Sequence, residues 1–358
     1  MKKALGIAGG VLGILVLAGL GYLLAWPVPI DPVAWEAPEA PAAEGVYAPN
    51  DALAGVTVLP VPDGDHGPED LHVLGDHVYG GTDAGWIVRW PVSGGPPEPV
   101  VDTGGRPLGL HVDPHGRLII ADAFKGLLRL EPNGSLTTLC DHAHDGSKLV
   151  FTDDVDIASD GTIWFTDAST RHDQHVWKRD ILESRPNGRL LRWRPDNPHC
   201  EVVLDELYFA NGVALSESGE FVLINETTRY RVTRMWLAGD KEGQTEILID
   251  NLPGFPDGIS RGEDGIFWIA LGSTRNATVD GLAGQPFLRK VVQRLPDALK
   301  PAPVRHPYIV GVDATGRVVR TLQDPGGTRY GMTTSAQQHG DRLYLGSLAE
   351  PAAAWIDL

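Results

Sequence analysis

The chain has 358 residues, of which 47 are acidic and 30 basic, so its formal net charge is -17. Such a field repels phosphate backbones and excludes nucleic acid as an expected partner. The 43 glycines and 28 prolines, placed between many short apolar runs, indicate a turn-rich all-β protein rather than a helical one.

Residues 1–26 are interpreted as an N-terminal membrane anchor. Lys2 and Lys3 precede an apolar stretch, Ala4 to Ala25, which is long enough to cross a bilayer as one helix. Basic residues before the stretch and acidic ones after it predict a single-pass protein with its bulk on the periplasmic or extracytoplasmic side. A cleaved signal peptide is the alternative, but its apolar core is usually shorter and its cleavage site richer in small residues.

The next segment, residues 27–54, is rich in Pro, Ala and Glu and is predicted to be an extended tether. Only two cysteines follow, Cys140 and Cys200. They are too few for a disulfide framework, and the sequence leaves open whether they pair or remain two buried thiols.

One pattern recurs six times between residues 55 and 358: an alternating strand, a turn containing glycine, and further apolar strands. Its copies begin near Glu69, Leu108, Asp153, Asn211, Asp257 and Thr334. Six such units predict a six-bladed β-propeller. The strand-like run Gly55 to Val61 precedes the first unit, and it is expected to complete the last blade and so close the ring.

A stretch between the fifth and sixth units, Pro286 to Leu295, has helical periodicity and no strand signal. It is interpreted as a helical cap insertion over one mouth of the central channel. The alternative is a surface helix that covers the edge of a blade.

Equivalent positions at the start of the six inner strands should open onto one end of the channel. Four of them carry carboxylate or amide oxygens: Glu69, Asp153, Asn211 and Asp257. Two carboxylates about 4 Å apart repel by roughly 4 kcal/mol at an effective dielectric of about 20, so a bound cation would relieve a converging set. Hard oxygen ligands favour Ca²⁺, with Mg²⁺ or Mn²⁺ as alternatives.

Two further carboxylates, Asp70 and Asp154, directly follow Glu69 and Asp153. They are expected to orient the ligands or to hold a second ion. The competing interpretation is that these Asp and Asn residues only form turns, which is the commoner role of Asp-Gly and Asn-Gly pairs.

Several runs in order along the chain resemble the strictosidine synthase-like family, which includes the adipocyte plasma membrane-associated proteins. The runs are Gly105-Arg106-Pro107-Leu108-Gly109-Leu110, Phe151-Thr152-Asp153-Asp154-Val155-Asp156, Tyr208-Phe209-Ala210-Asn211-Gly212-Val213 and Asn251-Leu252-Pro253-Gly254-Phe255-Pro256-Asp257. More distantly, the chain is similar to the gluconolactonase/regucalcin and paraoxonase-like propellers. The resemblance implies a channel calcium bound through Glu69, Asp153, Asn211 and Asp257.

The chain also departs from these families. Asp153 stands where relatives usually have Asn, Gly258 where many have a further amide ligand, and Leu108 where the paraoxonase-like enzymes have His. The plant synthase carries its catalytic Glu before the last inner strand, and no Glu occurs here from Tyr330 to Ala349. Strictosidine-type condensation is therefore not expected.

The resulting expectation is a metal-dependent hydrolase of lactones or small carboxylic esters, including aryl esters. Asp257 is the candidate general base by resemblance to the gluconolactonases, although it could serve as a ligand alone. The alternative is a non-catalytic, membrane-anchored propeller that uses calcium structurally and binds a ligand or partner. The residues that bind substrate are not identified by the sequence.

Overall fold

The architecture is a ring of six four-stranded antiparallel sheets, as the repeats predict. The computed structural model describes residues 2–358, with side chains from residue 10 onward. The strand β1 (Thr57–Pro60) pairs with the final strand β24 (Ala352–Asp357) and completes the sixth sheet. The predicted closure by the segment ahead of the first unit is thus confirmed, and it joins the two ends of the ring.

Each sheet runs from an inner strand at the channel to an outer strand at the rim. The inner strands are β2 (Leu71–Leu74), β6 (Pro107–Val112), β10 (Thr152–Ile157), β14 (Ala210–Leu215), β18 (Gly254–Arg261) and β22 (Thr333–His339). The second strands are β3 (His77–Gly81), β7 (Leu118–Asp122), β11 (Ile163–Asp167), β15 (Phe221–Glu226), β19 (Ile266–Thr274) and β23 (Arg342–Ser347).

The third and fourth strands complete each blade. The third strands are β4 (Trp86–Pro91), β8 (Gly126–Leu130), β12 (Gly188–Arg194), β16 (Arg231–Trp236), β20 (Tyr308–Asp313) and, in the last blade, β24. The outer strands are β5 (Glu98–Asp102), β9 (Leu136–Cys140), β13 (Asn197–Leu207), β17 (Thr245–Ile249), β21 (Val318–Gln323) and β1.

The hydrophobic core is divided into separate clusters, one at each boundary between neighbouring blades. For example, Leu223 of the fourth blade and Ile269 of the fifth share one cluster. This division follows from period-two strands, since both faces of each sheet pack against a neighbour and must be apolar. The channel is left to the polar residues that begin the inner strands.

The two cysteines form a disulfide, which resolves the alternative left open by the sequence. Cys140 ends β9 and Cys200 lies in β13, so the bond joins the outer strands of the second and third blades. It closes a loop of 60 residues and ties two blades together at the rim, away from the channel.

Helices lie before the first blade and, within the third and fifth blades, between the second and third strands. They are α1 (Lys2–Ala25), α2 (Lys178–Glu183), α3 (Ala277–Gly281) and α4 (Pro286–Arg294), with 3-10 turns at Gly45–Tyr47, Gln174–Val176, Thr227–Arg229, Gly239–Lys241 and Asp297–Leu299. The helix α4 matches the predicted helical segment. It contacts α2, and its Val292 lines the cavity at one mouth of the channel, as the cap interpretation requires.

The helix α1 coincides with the predicted membrane anchor, of which Met1 and the side chains of residues 2–9 lie outside the described residues. In the part of the chain that the structure describes, no helix combines the length and the apolar character needed to cross a bilayer. The end of α1 is fixed to the cap, since the Arg294 guanidinium donates hydrogen bonds to the carbonyl oxygens of Leu23 and Trp26, both at 2.7 Å.

The segment 27–54, predicted to be a tether, instead packs along the propeller. The amide of Val33 donates to the carbonyl of Glu183 (3.1 Å), and that of Leu53 to the carbonyl of Gln323 (2.9 Å). Between them, the Trp35 ring packs 5.9 Å from Tyr230. Because its amides donate to α2 and the fifth blade and Trp35 packs against the fourth, this segment is part of the folded unit.

Candidate functional site

The residues predicted to meet at the channel do so. Glu69, Asp153, Asn211 and Asp257 line one cavity of about 140 Å³, together with Leu108 and Thr334 from the two remaining blades. We call this the upper chamber. All six equivalent positions of the repeat therefore open onto one space.

These side chains point into the channel because most of the inner strands contain a β-bulge, which the sequence did not reveal. In five inner strands the register shifts by one extra residue against the second strand, at Asp153–Asp154, Asn211–Gly212, Asp257–Gly258, Leu108–Gly109 and Thr334. Bulges re-aim side chains and are common beside active sites. In the first blade, Glu69 and Asp70 lie just ahead of β2 and serve the same purpose without a bulge.

The bulge sends adjacent residues into different spaces. A second cavity of about 290 Å³ is lined by Asp70, Asp154 and Asp156 with His72 and His111, and we call it the lower chamber. Asp153 lines only the upper chamber and Asp154 only the lower one, while Glu69 and Asn211 line both. Residues adjacent in sequence thus line different chambers. Glu69, Asp153, Asn211 and Asp257 form a ring of side chains at the floor of the upper chamber, and we call them the ring residues.

The carboxylates of the upper chamber disfavour one another's charge. Burial raises the pKa of Glu69 well above its usual range, and the nearby carboxylates of Asp153 and Asp257 raise it further. Burial and Asp257 likewise raise the pKa of Asp153. Burial raises the pKa of Asp257 to about 7, against the lowering effect of a hydrogen bond with Asn211. A cation at this point would remove the repulsion.

The donor set fits a hard cation. Besides three carboxylates, the ring offers the Asn211 side-chain oxygen, which is buried and has no hydrogen-bond partner in the structure, an arrangement that is costly unless something binds there. Among the described residues, no group of three or more His, Cys, Asp or Glu side chains meets the geometry of a metal site. The fit is therefore one of chemistry and convergence, without a preformed coordination shell.

Two glycines make room for the ring. A Cβ at Gly272 would lie 2.4 Å from the Asp257 carboxylate, and one at Gly346 would lie 1.8 Å from the Glu69 carbonyl oxygen. Both separations are shorter than a van der Waals contact, so any side chain there would displace a ring residue.

The carboxylates of the lower chamber accept hydrogen bonds from backbone amides, although burial still raises the pKa of Asp70 to about 6 and the pKa of Asp154 well above its usual range. Asp70 accepts from the amide of Leu110 at 3.0 Å, and Asp154 accepts from the amides of Val213 and Val155, both at 2.8 Å. Leu110 and Val213 belong to the next blade in each case. Asp70 and Asp154 therefore link the inner strands of neighbouring blades by hydrogen bonds, and neither accepts a hydrogen bond from the side chain of a ring residue.

Sequence reasoning missed other polar residues of the channel. Arg106 is 1% exposed and donates to the carbonyl of Gly67 at 2.9 Å, two residues before Glu69. In the lower chamber the His111 ring lies 3.1 Å from the Asp156 carboxylate and 4.4 Å from the His72 ring. The signal was available, because His72, His111 and Asp156 occupy one position of the repeat.

The walls of the upper chamber above the ring are largely apolar. Leu108, Phe151 and Phe209 form a buried cluster, and Trp177, just before α2, and Ile181, within α2, pack against it. The Phe151 and Phe209 rings meet edge to face at 5.6 Å. The site thus combines a charged floor with walls suited to an apolar ligand.

Fold and site together define a six-bladed β-propeller with buried carboxylate and amide side chains converging at one end of its channel. Two family models match the chain: "Strictosidine synthase-like, N-terminal" over residues 45–90 and "Strictosidine synthase" over residues 153–240. The adipocyte plasma membrane-associated protein of Salmo salar is 33% identical over 97% of this chain and 88% of its own length. The human protein of that name is 30% identical over 95% and 86%. The chain belongs to the strictosidine synthase-like family that includes these proteins.

Other similarities agree with this membership. The strictosidine synthase-like protein 6 of Arabidopsis thaliana is 34% identical over 81% of this chain and 79% of its own. A gluconolactonase of Xanthomonas campestris has a TM-score of 0.57 at 15% identity, covering 84% of this chain and 97% of its own. A regucalcin of Agrobacterium tumefaciens scores 0.55 at 14% identity, covering 84% and 90%. At these identities the two structures establish the fold alone.

Proposed function

We propose that this protein is a calcium-dependent hydrolase of lactones or small carboxylic esters, including aryl esters. The observation that carries the proposal is the meeting of Glu69, Asp153, Asn211 and Asp257 at the floor of one cavity with apolar walls. Proteins described as a gluconolactonase and as a calcium-binding regucalcin share the fold, which supports the class of reaction.

Those four residues would hold the ion. Carboxylate and amide oxygens suit Ca²⁺, and Mg²⁺ or Mn²⁺ are the alternatives. A divalent cation bound there supplies a Lewis acid that polarises the ester carbonyl and stabilises the developing oxyanion.

The chain itself supplies the proton transfer and the binding surface. A water molecule adds to the carbonyl carbon, and the Asp257 carboxylate accepts the proton that the water loses. The C–O bond to the leaving alkoxide then breaks, and the alkoxide takes up that proton. An ester yields an acid and an alcohol, and a lactone yields one hydroxy acid.

The walls favour a substrate with an apolar body. Each hydroxyl of a sugar lactone placed against Phe151, Phe209 or Leu108 would lose its hydrogen bonds to water without replacement, at about 1–3 kcal/mol apiece. We therefore expect kcat/KM for phenyl acetate and alkyl-substituted γ- and δ-lactones to exceed that for glucono-δ-lactone by about 100-fold.

The test uses the full chain in detergent, because residues 27–54 pack on the propeller. Turnover of the ester and lactone panel is measured with EDTA, and again after addition of calcium. Turnover that EDTA abolishes and calcium restores supports the proposal. Turnover unaffected by EDTA would contradict the metal dependence, and no turnover of any substrate would contradict the hydrolase.

A non-catalytic role is the second candidate. The observation that favours it is Leu108, an apolar residue among the six equivalent positions of the upper chamber. Under this alternative, calcium locks the blades and the chamber binds a ligand or partner. A melting temperature that falls with EDTA, without hydrolysis of any ester or lactone, would favour this alternative over the enzyme.

We also propose that the N-terminal helix attaches the propeller to a membrane on the extracytoplasmic side. Large exposed apolar side chains of α1, such as Leu12, Ile14 and Leu17, support this, as does the name of the relatives. Membrane fractionation with alkaline extraction tests the attachment, and protease protection in spheroplasts tests the side. Recovery of the chain in the supernatant before extraction would contradict it.

A further inference from the structure

The bulges that aim the ring residues also disturb the ladders that would hold their backbone. A register shift leaves the extra residue without a regular ladder partner, yet ligands must keep their positions to well within an ångström to bind an ion. For the bulged residues Asn211 and Asp257, and for Glu69 just ahead of its strand, a side chain reaching across a blade boundary holds the backbone.

Three such hydrogen bonds end on the carbonyl oxygens of ring residues. The Thr166 hydroxyl donates to Asn211 at 2.7 Å, the Asn225 amide to Asp257 at 2.6 Å, and the Thr334 hydroxyl to Glu69 at 2.7 Å. In each case the donor belongs to one blade and the acceptor to the next. Thr166 and Asn225 are fully buried and Thr334 is 1% exposed.

The donors occupy a definite place in the repeat. Thr166 and Asn225 are each the penultimate residue of a second strand, β11 and β15. The corresponding residue of the last blade is Gly346, where a Cβ would lie 1.8 Å from the Glu69 carbonyl. No side chain fits there, and Thr334 of the adjacent inner strand supplies the donor instead.

Among the four boundaries that deliver Glu69, Asp153, Asn211 and Asp257, the one ahead of Asp153 lacks such a bond and serves as an internal comparison. The corresponding residue of the second blade is Ala121, whose methyl group cannot donate, and the Asp153 carbonyl lies against Gly109 instead. The donors are therefore specific to the boundaries that deliver Glu69, Asn211 and Asp257.

We propose that Thr166, Asn225 and Thr334 are positioning residues that hold the oxygen-ligand ring in its cation-binding arrangement. The inference rests on the proposed function, since it assumes that the ring binds a divalent cation. Thr166 and Asn225 do not line the upper chamber, whereas Thr334 does, with its hydroxyl donating to the Glu69 carbonyl. Their effect on the site passes through the backbone carbonyls that they hold.

The experiment compares calcium affinity with stability of the calcium-free protein. Thr166→Val, Thr334→Val and Asn225→Leu remove the donors at nearly constant volume, and Thr166→Ser and Thr334→Ser restore the hydroxyl. Thr82→Val is the matched control, because Thr82 is fully buried and its hydroxyl has no partner. Calcium Kd is measured by titration calorimetry on the full chain, and melting temperature is measured in EDTA.

We expect the donor-less variants to raise the calcium Kd about 10-fold or more, the serine variants to restore it, and Thr82→Val to leave it unchanged. Melting temperatures that fall in EDTA while Kd stays constant would overturn the inference, because the bonds would then be only structural. If one variant fails to fold, the others test independent boundaries.

Failure of the inference differs from failure of the proposed function. Tight calcium binding by every donor-less variant, with hydrolysis intact, overturns the positioning role alone. Absence of calcium, magnesium or manganese binding by the unmutated chain overturns the proposed metal ring, and the positioning role falls with it.

Discussion

The two chambers of the channel both contain carboxylates, some of them adjacent in sequence, yet these carboxylates differ in how their hydrogen bonds are met. In the lower chamber, Asp70 and Asp154 accept backbone amides of the next blade. In the upper chamber, the Asn211 oxygen has no partner, and Glu69, Asp153 and Asp257 face one another. The carboxylates of Asp70 and Asp154 thus join neighbouring blades, whereas the side-chain oxygens of the upper chamber are the ones that we propose to bind an ion.

The largest effect should come from substituting a ring residue of the upper chamber. We expect Asp257→Ala to lower ester or lactone turnover at least about 100-fold, because it removes the proposed base and a ligand. Stability in EDTA should be unchanged or higher, since one of the repelling carboxylates is gone. Steady-state kinetics and thermal melting measure both. A variant with normal turnover would show that Asp257 has no catalytic role.

A substitution in the lower chamber should instead reduce the stability of the fold. We expect Asp154→Ala to lower the free energy of unfolding by about 3 kcal/mol, because the buried amides of Val213 and Val155 lose their acceptor. Urea unfolding measures the loss. Asp160→Ala, at an exposed turn, is the control. Equal stability of the two variants would contradict the role of Asp154 in linking neighbouring blades.

Removal of the disulfide at the rim tests whether a loss of stability alone alters the channel. We expect replacement of both Cys140 and Cys200 by Ala to lower the free energy of unfolding by about 2–4 kcal/mol, with little change in calcium affinity. Urea unfolding and calorimetry provide the two readings. A large loss of calcium binding would mean that the rim governs the geometry of the ring.

The smallest effect concerns pH and the His111–Asp156 pair of the lower chamber. Burial lowers the pKa of His111, but Asp156 outweighs it and the net pKa is raised. For Asp156, burial raises the pKa, but His111 outweighs burial and the net pKa is lowered. The stabilisation by protonated His111 is full below the ordinary histidine pKa of about 6.5 and is lost as pH rises through the raised value.

We therefore expect His111→Asn to be less stable than the unmutated chain at pH below about 6.5. The difference should shrink as the solution becomes alkaline. Urea unfolding across this range measures it, with Asp156→Asn as the partner variant expected to show the same trend. A constant difference at all pH values would show that the pair is not ionised in the folded protein.

Much of the site was predictable because residues at the same position of each repeat lie at the same level of the channel. Glu69, Asp153, Asn211 and Asp257 were predicted to meet from their place in the repeat, and they line one cavity. Arg106 and the donors Thr166 and Asn225 were not predicted. A single threonine or asparagine near a strand end has no feature in the sequence to show that it faces another blade.

The sequence by itself determined the six strand repeats, the closure by the segment ahead of the first unit, and the helix at Pro286. These follow from local periodicity and turn chemistry. Only the tertiary structure decided the pairing of Cys140 with Cys200, the packing of residues 27–54, and which member of the Asp153–Asp154 pair faces which chamber. Those depend on bulges and contacts between distant segments, which become energetically defined only when neighbouring blades are in place.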